Sequence, residues 1–482
     1  MNRLGKLSLV LILTALPCPA LQAEDWPQFR GIAQDGSSPA TALPTRWSAS
    51  ENLLWKVDLP GPGGSSPVIA AGKVYLTCYS GYGLREGDNA EQSELSRHVL
   101  CFDLKTGKQQ WSFPAKALVP EERFQGFQAL HGYASSTPCL DNDSVYVFFG
   151  KSGVGCMDLK GKPRWGQKVG DKTHSWGSAT SPVLYKNTVI VNASVESGEL
   201  VALNKRNGSK AWSQRGVREA WNSPILVKAP GNKVELVLSS QGELQGYDPD
   251  TGKPLWRAPG IQDYVCPSVI AHDGIVYAIG ARSGMGVAVK AGGRGEVQPI
   301  WEMKKGSNVC SPVFHEGYLY WTHESRGVAY CADAKTGEIV YEQRLEPRPD
   351  TIYASPVLAG GNIYYVSRNN GTYVVAAKPQ FQLVAHNPPL DRTTSNGSPA
   401  VADGKMLLRS NEALYCIGRN LGWGLGTRSW DLGRGGKAAG RRTDQWSVSK
   451  RVSSSVGETR RPERTSGPSY APSHSATRRL LR

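Results

Sequence analysis

From Ser65 to Gly418 the chain repeats one arrangement of apolar and polar positions. A small residue and a proline open each unit, followed by a short apolar run, a turn carrying Gly, Asn or Asp, and a second apolar run. The stretches are "SSPVIAAGKVYLT" from Ser65, "STPCLDNDSVYVF" from Ser136, "TSPVLYKNTVIVN" from Thr180 and "NSPILVKAPGNKVELVL" from Asn222. "VCPSVIAHDGIVYAI" from Val265, "CSPVFHEGYLYWT" from Cys310, "ASPVLAGGNIYYVS" from Ala354 and "GSPAVADGKMLLR" from Gly397 complete a set of eight. Runs this short, rich in Val, Ile and Tyr and bounded by turn residues, predict β-strands.

A second pattern follows the first in most units: "DLKTGKQQW" at 103, "DLKGKPRW" at 158, "NKRNGSKAW" at 204, "DPDTGKPLW" at 248 and "DAKTGEIVY" at 333. It reads as a tight hairpin. An apolar strand ends at Asp or Asn, whose side chain accepts from the turn backbone, Gly takes the left-handed position, and the aromatic residue lands on the returning strand. The marking prolines, Pro67, Pro138, Pro182, Pro224, Pro267, Pro312, Pro356 and Pro399, recur every 42 to 45 residues after the first interval. A period near forty with four short strands per unit predicts an all-β fold, an eight-bladed β-propeller of four-stranded antiparallel blades. The eighth unit stops at Gly418 without its outer strand, and "LLWKV" at 53–57 resembles the returning strands elsewhere. The N-terminal strand is therefore expected to close the ring, with Trp55, Trp111, Trp165, Trp212, Trp256 and Trp301 docking each blade on the next.

Composition refines this picture at the two ends. Residues 1–23 carry Arg3 and Lys6, an apolar run from Leu7 to Leu16 and small residues up to Ala23, the layout of a secretory signal peptide cleaved after Ala23. Residues 24–51 read as an extended N-terminal segment and 52–418 as the propeller. No stretch is long and apolar enough for a membrane span, so a periplasmic or secreted protein is expected, and a monomer. The net charge of +15 is concentrated in residues 419–482, which carry +10 of it, leaving a body near neutral. That Ser-, Gly- and Arg-rich stretch cannot bury enough apolar surface to order itself and reads as a basic disordered tail. The abrupt change of composition near Arg419 also fits a shifted reading frame. A nucleic-acid partner is not expected of an exported chain.

The motif A-x-D-x-x-T-G-x-x-x-W, present as Cys101-Phe102-Asp103 to Thr106-Gly107 and Trp111, resembles the tryptophan-docking repeat of pyrroloquinoline quinone (PQQ) propellers. That family includes quinoprotein alcohol dehydrogenases, the outer-membrane assembly protein BamB and many exported bacterial proteins, the last of which "DWPQFRG" at Asp25 resembles most. The fifth and seventh units depart from the motif: a longer Gly-rich turn follows Ala288, and "AKPQFQLV" after Ala376 has no Trp.

Strand parity puts the links between blades on the same face as the turns between second and third strands. The two insertions of the first unit, Cys78 to Arg97 and Ser112 to Tyr133, fall on that face. Its links carry His131, Tyr133, His174, Trp176, Trp221, Asn222, Asp263, Tyr264, Asn308, Asp350 and Tyr353. They are expected to rim a central funnel, either binding a flat polar ligand or packing the links on one another. Arg282, Arg326, Arg368 and Arg409 fall in turns of the same face, as a cationic arc or a solvated salt-bridge belt.

The dehydrogenase alternative implies PQQ and Ca²⁺. The resemblance then asks for adjacent cysteines, absent here, and a calcium set for which Asp263, Asn308 and Asp350 are the candidates. No C-x-x-C-H, P-loop or G-x-S-x-G motif occurs, and the histidines show no metal-ligand spacing. Cys101, Cys156, Cys331 and Cys416 occupy a position wanting a small buried residue. Cys266 and Cys310 lie on neighbouring inner strands. The expected function is a non-catalytic scaffold, without cofactor or metal, that presents the link face to a cell-envelope protein, a polysaccharide or a small ligand.

Overall fold

The structure is a computed structural model, and it describes residues 25–420 except 88, 281 and 283. The expected signal peptide and almost all of the basic tail lie outside the described residues. Eight antiparallel sheets follow one another in the order of the repeats. Blade one is Val68–Ala70, Lys73–Ser80, Ser96–Asp103 and Gln109–Lys116, and each later blade repeats that meander from an inner strand beginning just after its marking proline. The last blade takes its outer strand from the other end of the chain: Leu53–Asp58 pairs with Ala413–Gly418, with Trp55 opposite Cys416 and Val57 opposite Leu414. Closure through a shared sheet leaves the ring without a free seam. Among the described residues no helix is long and apolar enough to cross a membrane.

The hairpin motif has a mechanical reason. Asp103 Oδ1 accepts from the backbone N–H and the hydroxyl of Thr106 at 2.8 and 2.7 Å, and Gly107 sits at φ +72°. The indole of the preceding blade lies on that glycine: a Cβ on Gly107 would meet the Trp55 ring at 2.7 Å, while Trp55 Nε1 donates to Leu104 O at 3.0 Å. The same pairing recurs as Trp111 on Gly161, Trp165 on Gly208, Trp212 on Gly252 and Trp301 on Gly337. In each case Nε1 donates to the residue after the turn Asp or Asn, or to Ala334 after Asp333. Aspartate shapes the turn, glycine leaves room, and tryptophan fills it.

Trp256 corrects the expectation of six alike. Its indole donates to Glu235 Oε2 of its own blade at 2.7 Å. The Gly-rich turn of blade five has no Asp-Gly seat to offer, and instead Gly295–Glu296 adds itself to blade four as a fifth, parallel strand beside Trp256 and Arg257. Glu235, 1% exposed, also accepts from the Gly292 N–H and from Arg294. A buried carboxylate with three donors thus replaces the indole-on-glycine contact.

Eight hydroxyls close a second, inner ring. Each residue beside a marking proline donates its backbone N–H to the corresponding hydroxyl of the next blade: Ser66 to Thr137, Thr137 to Ser181, Ser181 to Ser223 and Ser223 to Ser268. Ser268 donates to Ser311, Ser311 to Ser355 and Ser355 to Ser398. Ser398 returns the bond to Ser66 at 3.0 Å. Blade five keeps its place in the ring although its serine follows the proline, in "CPS", rather than preceding it.

Residues 25–51 are not simply extended. On the face bearing the hairpins, Ala71 and Leu140 donate to Asp25 Oδ1 and Pro27 O, and Leu226 to Gln34 Oε1. Leu358 donates to Gly36 O, and Trp47 N binds Asn387 Oδ1. The segment turns across the inner strands of blades one, two, four and seven and closes the central channel from that side.

Candidate functional site

What remains of the channel is a dead-end funnel of about 200 Å³ opening on the link face. Phe29, from the crossing segment, lines its floor; the hydroxyl ring encircles it; aromatic and amide side chains of the links rise above. Of the eleven residues expected at the rim, His131, Trp176, Trp221, Tyr264, Asn308 and Tyr353 line it.

The other five lie elsewhere. Tyr133 is buried behind the rim, edge-on to Tyr79. His174 supports the wall from outside, its ring 5.4 Å from Trp176 and 5.0 Å from Trp221. Asn222 is buried and donates to Ser239 O at 2.6 Å. Asp263 accepts from the N–H of Tyr264, and Asp350 holds Ser367 and Asn369. The reason is one of parity: links of several residues turn some side chains into the lumen and the next ones back into the sheet.

One side of the funnel is an aromatic wall. Trp176 packs against Trp221 (4.9 Å), Tyr264 (4.3 Å) and Phe127 (5.1 Å), and Phe127 is 44% exposed. Arg282 lies over it, 5.1 Å from the Tyr264 ring and 5.7 Å from that of Phe127, with Nε donating to the Tyr264 hydroxyl at 2.8 Å. Across the lumen Arg368 stacks on Tyr353 at 4.8 Å and is tied to Asn396 Oδ1 and Leu130 O. Among the described residues, no Asp or Glu lines the funnel. Asn308 Oδ1, buried in the wall, has no hydrogen-bond partner among the described residues. The site therefore offers flat apolar surface, hydroxyls, one unmet acceptor and a cationic rim.

Phe127, Leu130 and His131 come from the short helix Gly126–His131 inside the second insertion of blade one. That insertion rests on the first: the Gln92 and Glu121 amides are mutually bonded, and buried Arg97 pairs with Glu121 at 2.6 Å. His131 pins the helix to the wall. Its Nε2 faces the carbonyl of Trp176 at 2.7 Å and must carry the proton; its Nδ1 then accepts from the Ser135 hydroxyl at 2.5 Å. Burial lowers the imidazole pKa and favours this neutral form. The imidazole ends on a carbonyl rather than a carboxylate, so the pair fixes geometry and lacks the third group that orients a base.

The arginine arc does not form a solvated belt. Arg326 is exposed, Arg282 and Arg368 stack on aromatic rings, and Arg409 is 1% exposed, bonded to Thr77 O and Ser65 between blades eight and one. Phe29, Phe127 and the serine ring escaped sequence reasoning. The serine or threonine beside each proline was a visible signal, but the role of Phe29 depends on where residues 25–51 cross the ring.

The residues do not fit a calcium–quinone pair. Among the described residues no group of three His, Cys, Asp or Glu side chains converges on a metal position. Asp350 is held by Ser367 and Asn369 and lies outside the funnel. The eight described cysteines are all free thiols, including Cys266 and Cys310, and Cys101, Cys331 and Cys416 are buried without any exposure.

A ring of eight four-stranded blades with a funnel at its centre defines a PQQ-like β-propeller. The chain belongs to the family described as outer membrane protein assembly factor BamB, whose model matches residues 45–175, 95–307 and 272–422. It is 22% identical over 329 residues to the outer membrane protein assembly factor BamB of Burkholderia pseudomallei strain K96243, covering 64% of this chain and 78% of that one. In structure it resembles BamB from Moraxella catarrhalis, with a TM-score of 0.54, 15% identity and coverage of 77% of this chain and 98% of the other. It is also similar to the quinohemoprotein alcohol dehydrogenase of Comamonas testosteroni, with a TM-score of 0.56, 13% identity, 82% of this chain and 80% of that one. At these identities the structural likeness establishes the fold, which both groups share.

Proposed function

We propose that the protein is a non-catalytic scaffold of the cell envelope that receives a segment of a partner protein in the funnel of its link face. It works in the periplasm as a monomer, after loss of residues 1–23. The observation that carries this reading is the composition of the funnel: a partly exposed aromatic wall under Arg282, a closed floor and, among the described residues, no convergent acids or metal ligands. Aromatic rings and arginine are the side chains that dominate protein–protein hot spots. A peptide would present N–H donors to Asn308 Oδ1 and carbonyl or carboxylate oxygens to Arg282. Membership of a family described as an assembly factor supports a protein over a polysaccharide as the partner.

The test is capture of envelope proteins by the purified chain and by a Phe127→Ser/Arg282→Ala double variant. The two side chains are exposed, so the variant keeps its fold, and it is expected to lose at least about 90% of the captured partner. Equal capture would contradict the reading. So would tight uptake of PQQ with Ca²⁺ followed by dye reduction with an alcohol.

A further inference from the structure

The inner ring of hydroxyls has a chemistry that the fold does not use up. All eight of its residues, from Ser66 round to Ser398, line the funnel, and each is between 1 and 7% exposed. Each hydroxyl oxygen accepts the N–H of the preceding blade, and among the described residues none of the eight hydroxyls donates. Eight O–H groups are therefore left to donate low in a closed funnel, where a donor without an acceptor is costly.

The rest of the funnel narrows what can meet these donors. Its ionisable lining residues are uncharged at neutral pH: burial lowers the pKa of His131 and raises those of Tyr264, Tyr353 and, to about 12, Cys266. The charges stacked on its wall are the guanidiniums of Arg282 and Arg368. Among the described residues they use Nε on Tyr264, and Nε and Nη2 on Asn396 and Leu130, and keep their other N–H groups. Asp263 and Asp350, the acids that act on them, turn their carboxylates to the Tyr264 N–H and to Ser367 and Asn369. Donors below and cations at the mouth favour a group that accepts and carries negative charge. A protonated N-terminus only donates and is repelled, and a sugar, whose hydroxyls donate as well as accept, is not selected. The volume of about 200 Å³ is roughly seven waters' worth at about 30 Å³ each, room for one residue rather than a folded-back loop. We propose that the segment received by the funnel is a chain end: its C-terminal carboxylate accepts from the ring hydroxyls, and its last side chain, a large apolar one, lies on Trp176, Trp221 and Tyr264. This inference rests on the funnel being the partner's site and adds which part of the partner enters it.

The experiment titrates the whole chain by calorimetry with three acetylated tetrapeptides: Gly-Gly-Gly-Leu with a free carboxylate, the same peptide amidated, and amidated Gly-Glu-Gly-Leu, whose acid is internal. The free-carboxylate peptide is expected to bind at least about tenfold more tightly than either of the others, and to displace a captured envelope partner at a concentration at which the amide does not. A crystal structure with that peptide is expected to place its terminal oxygens within hydrogen-bonding distance of the ring hydroxyls. Equal binding of acid and amide overturns the proposal, as when water alone meets the ring. So does tighter binding of the internal acid, which gives the funnel to an acidic loop, and so do terminal oxygens bound at Arg282 alone. Capture lost in Phe127→Ser/Arg282→Ala, with acid and amide bound equally, dismisses this inference and leaves the partner reading. Capture retained in that variant dismisses the partner reading and this inference with it.

Discussion

A single glycine shows how closely the repeat is written. Gly107 and Gly216 have almost the same φ, +72° and +78°, yet a Cβ on Gly107 strikes the Trp55 ring at 2.7 Å while one on Gly216 meets nothing within 4 Å. Gly216→Ala should therefore cost about 1 kcal/mol, from backbone strain alone, and Gly107→Ala about 3 kcal/mol or more, because the indole must leave its seat. Chemical denaturation of the two variants measures the difference, and equal losses would remove the steric reason for the motif. At this scale the sequence was legible wherever turn chemistry repeats, as in Asp103, Gly107 and Trp111. It was not legible at Trp256, because Glu235 lies in a strand and gives no local sign of three converging donors.

Glu196 sets a pH dependence that the repeat does not disclose. It is 1% exposed, accepts from the Ser178 hydroxyl, and keeps its second oxygen, Oε2, without a partner among the described residues. Burial raises its pKa from 4.5 to about 7. The unfolded chain releases this proton near pH 4.5 and the folded chain near 7, so stability falls as pH rises between these values and the loss is complete above 7. The cost is on the order of 3 kcal/mol. Glu196→Gln should remove this slope and raise Tm at pH 8 while leaving Tm at pH 4.5 nearly unchanged; a variant no more stable than the parent at pH 8 would contradict it.

Among elements, the inner ring of hydroxyls does what each blade cannot do alone. A three-residue inner strand such as Val68–Ala70 has little pairing of its own, and the N–H beside its proline would be a buried orphan without the next blade's serine. Ser66→Ala leaves the Ser398 N–H without its acceptor and should cost about 1–3 kcal/mol, seen as a lower denaturation midpoint. Ser→Thr at the same position keeps the hydroxyl and should recover most of that loss. The eight strands and their prolines were readable from periodicity, since small-Pro-apolar recurs at a fixed interval. The ring itself was not, because its bonds join residues more than forty positions apart and blade five moves its serine across the proline. The crossing segment was obscured for a related reason: residues 25–51 have no apolar period, and their burial arises from the blades above them.

For the whole molecule, closure by Leu53–Asp58 and the crossing segment make the N-terminal region part of the fold rather than an appendage. A chain beginning at residue 52 would keep all eight sheets but lose Phe29, Arg30 and the floor of the funnel; it is expected to unfold at a lower temperature. The funnel's contents were half legible. The parity of the meander located the link face and six of its lining residues, whereas Phe127 sits on a helix within an insertion that carries no repeat.

The most direct test of the scaffold account is capture of envelope proteins by the intact chain, compared with two variants of equal size of change. Phe127→Ser/Arg282→Ala alters the funnel mouth, and Lys160→Ala/Lys253→Ala alters the exposed hairpins of the opposite face. The account predicts one partner lost with the first pair and retained with the second. Retention with both pairs, or loss only with the hairpin pair, would contradict it.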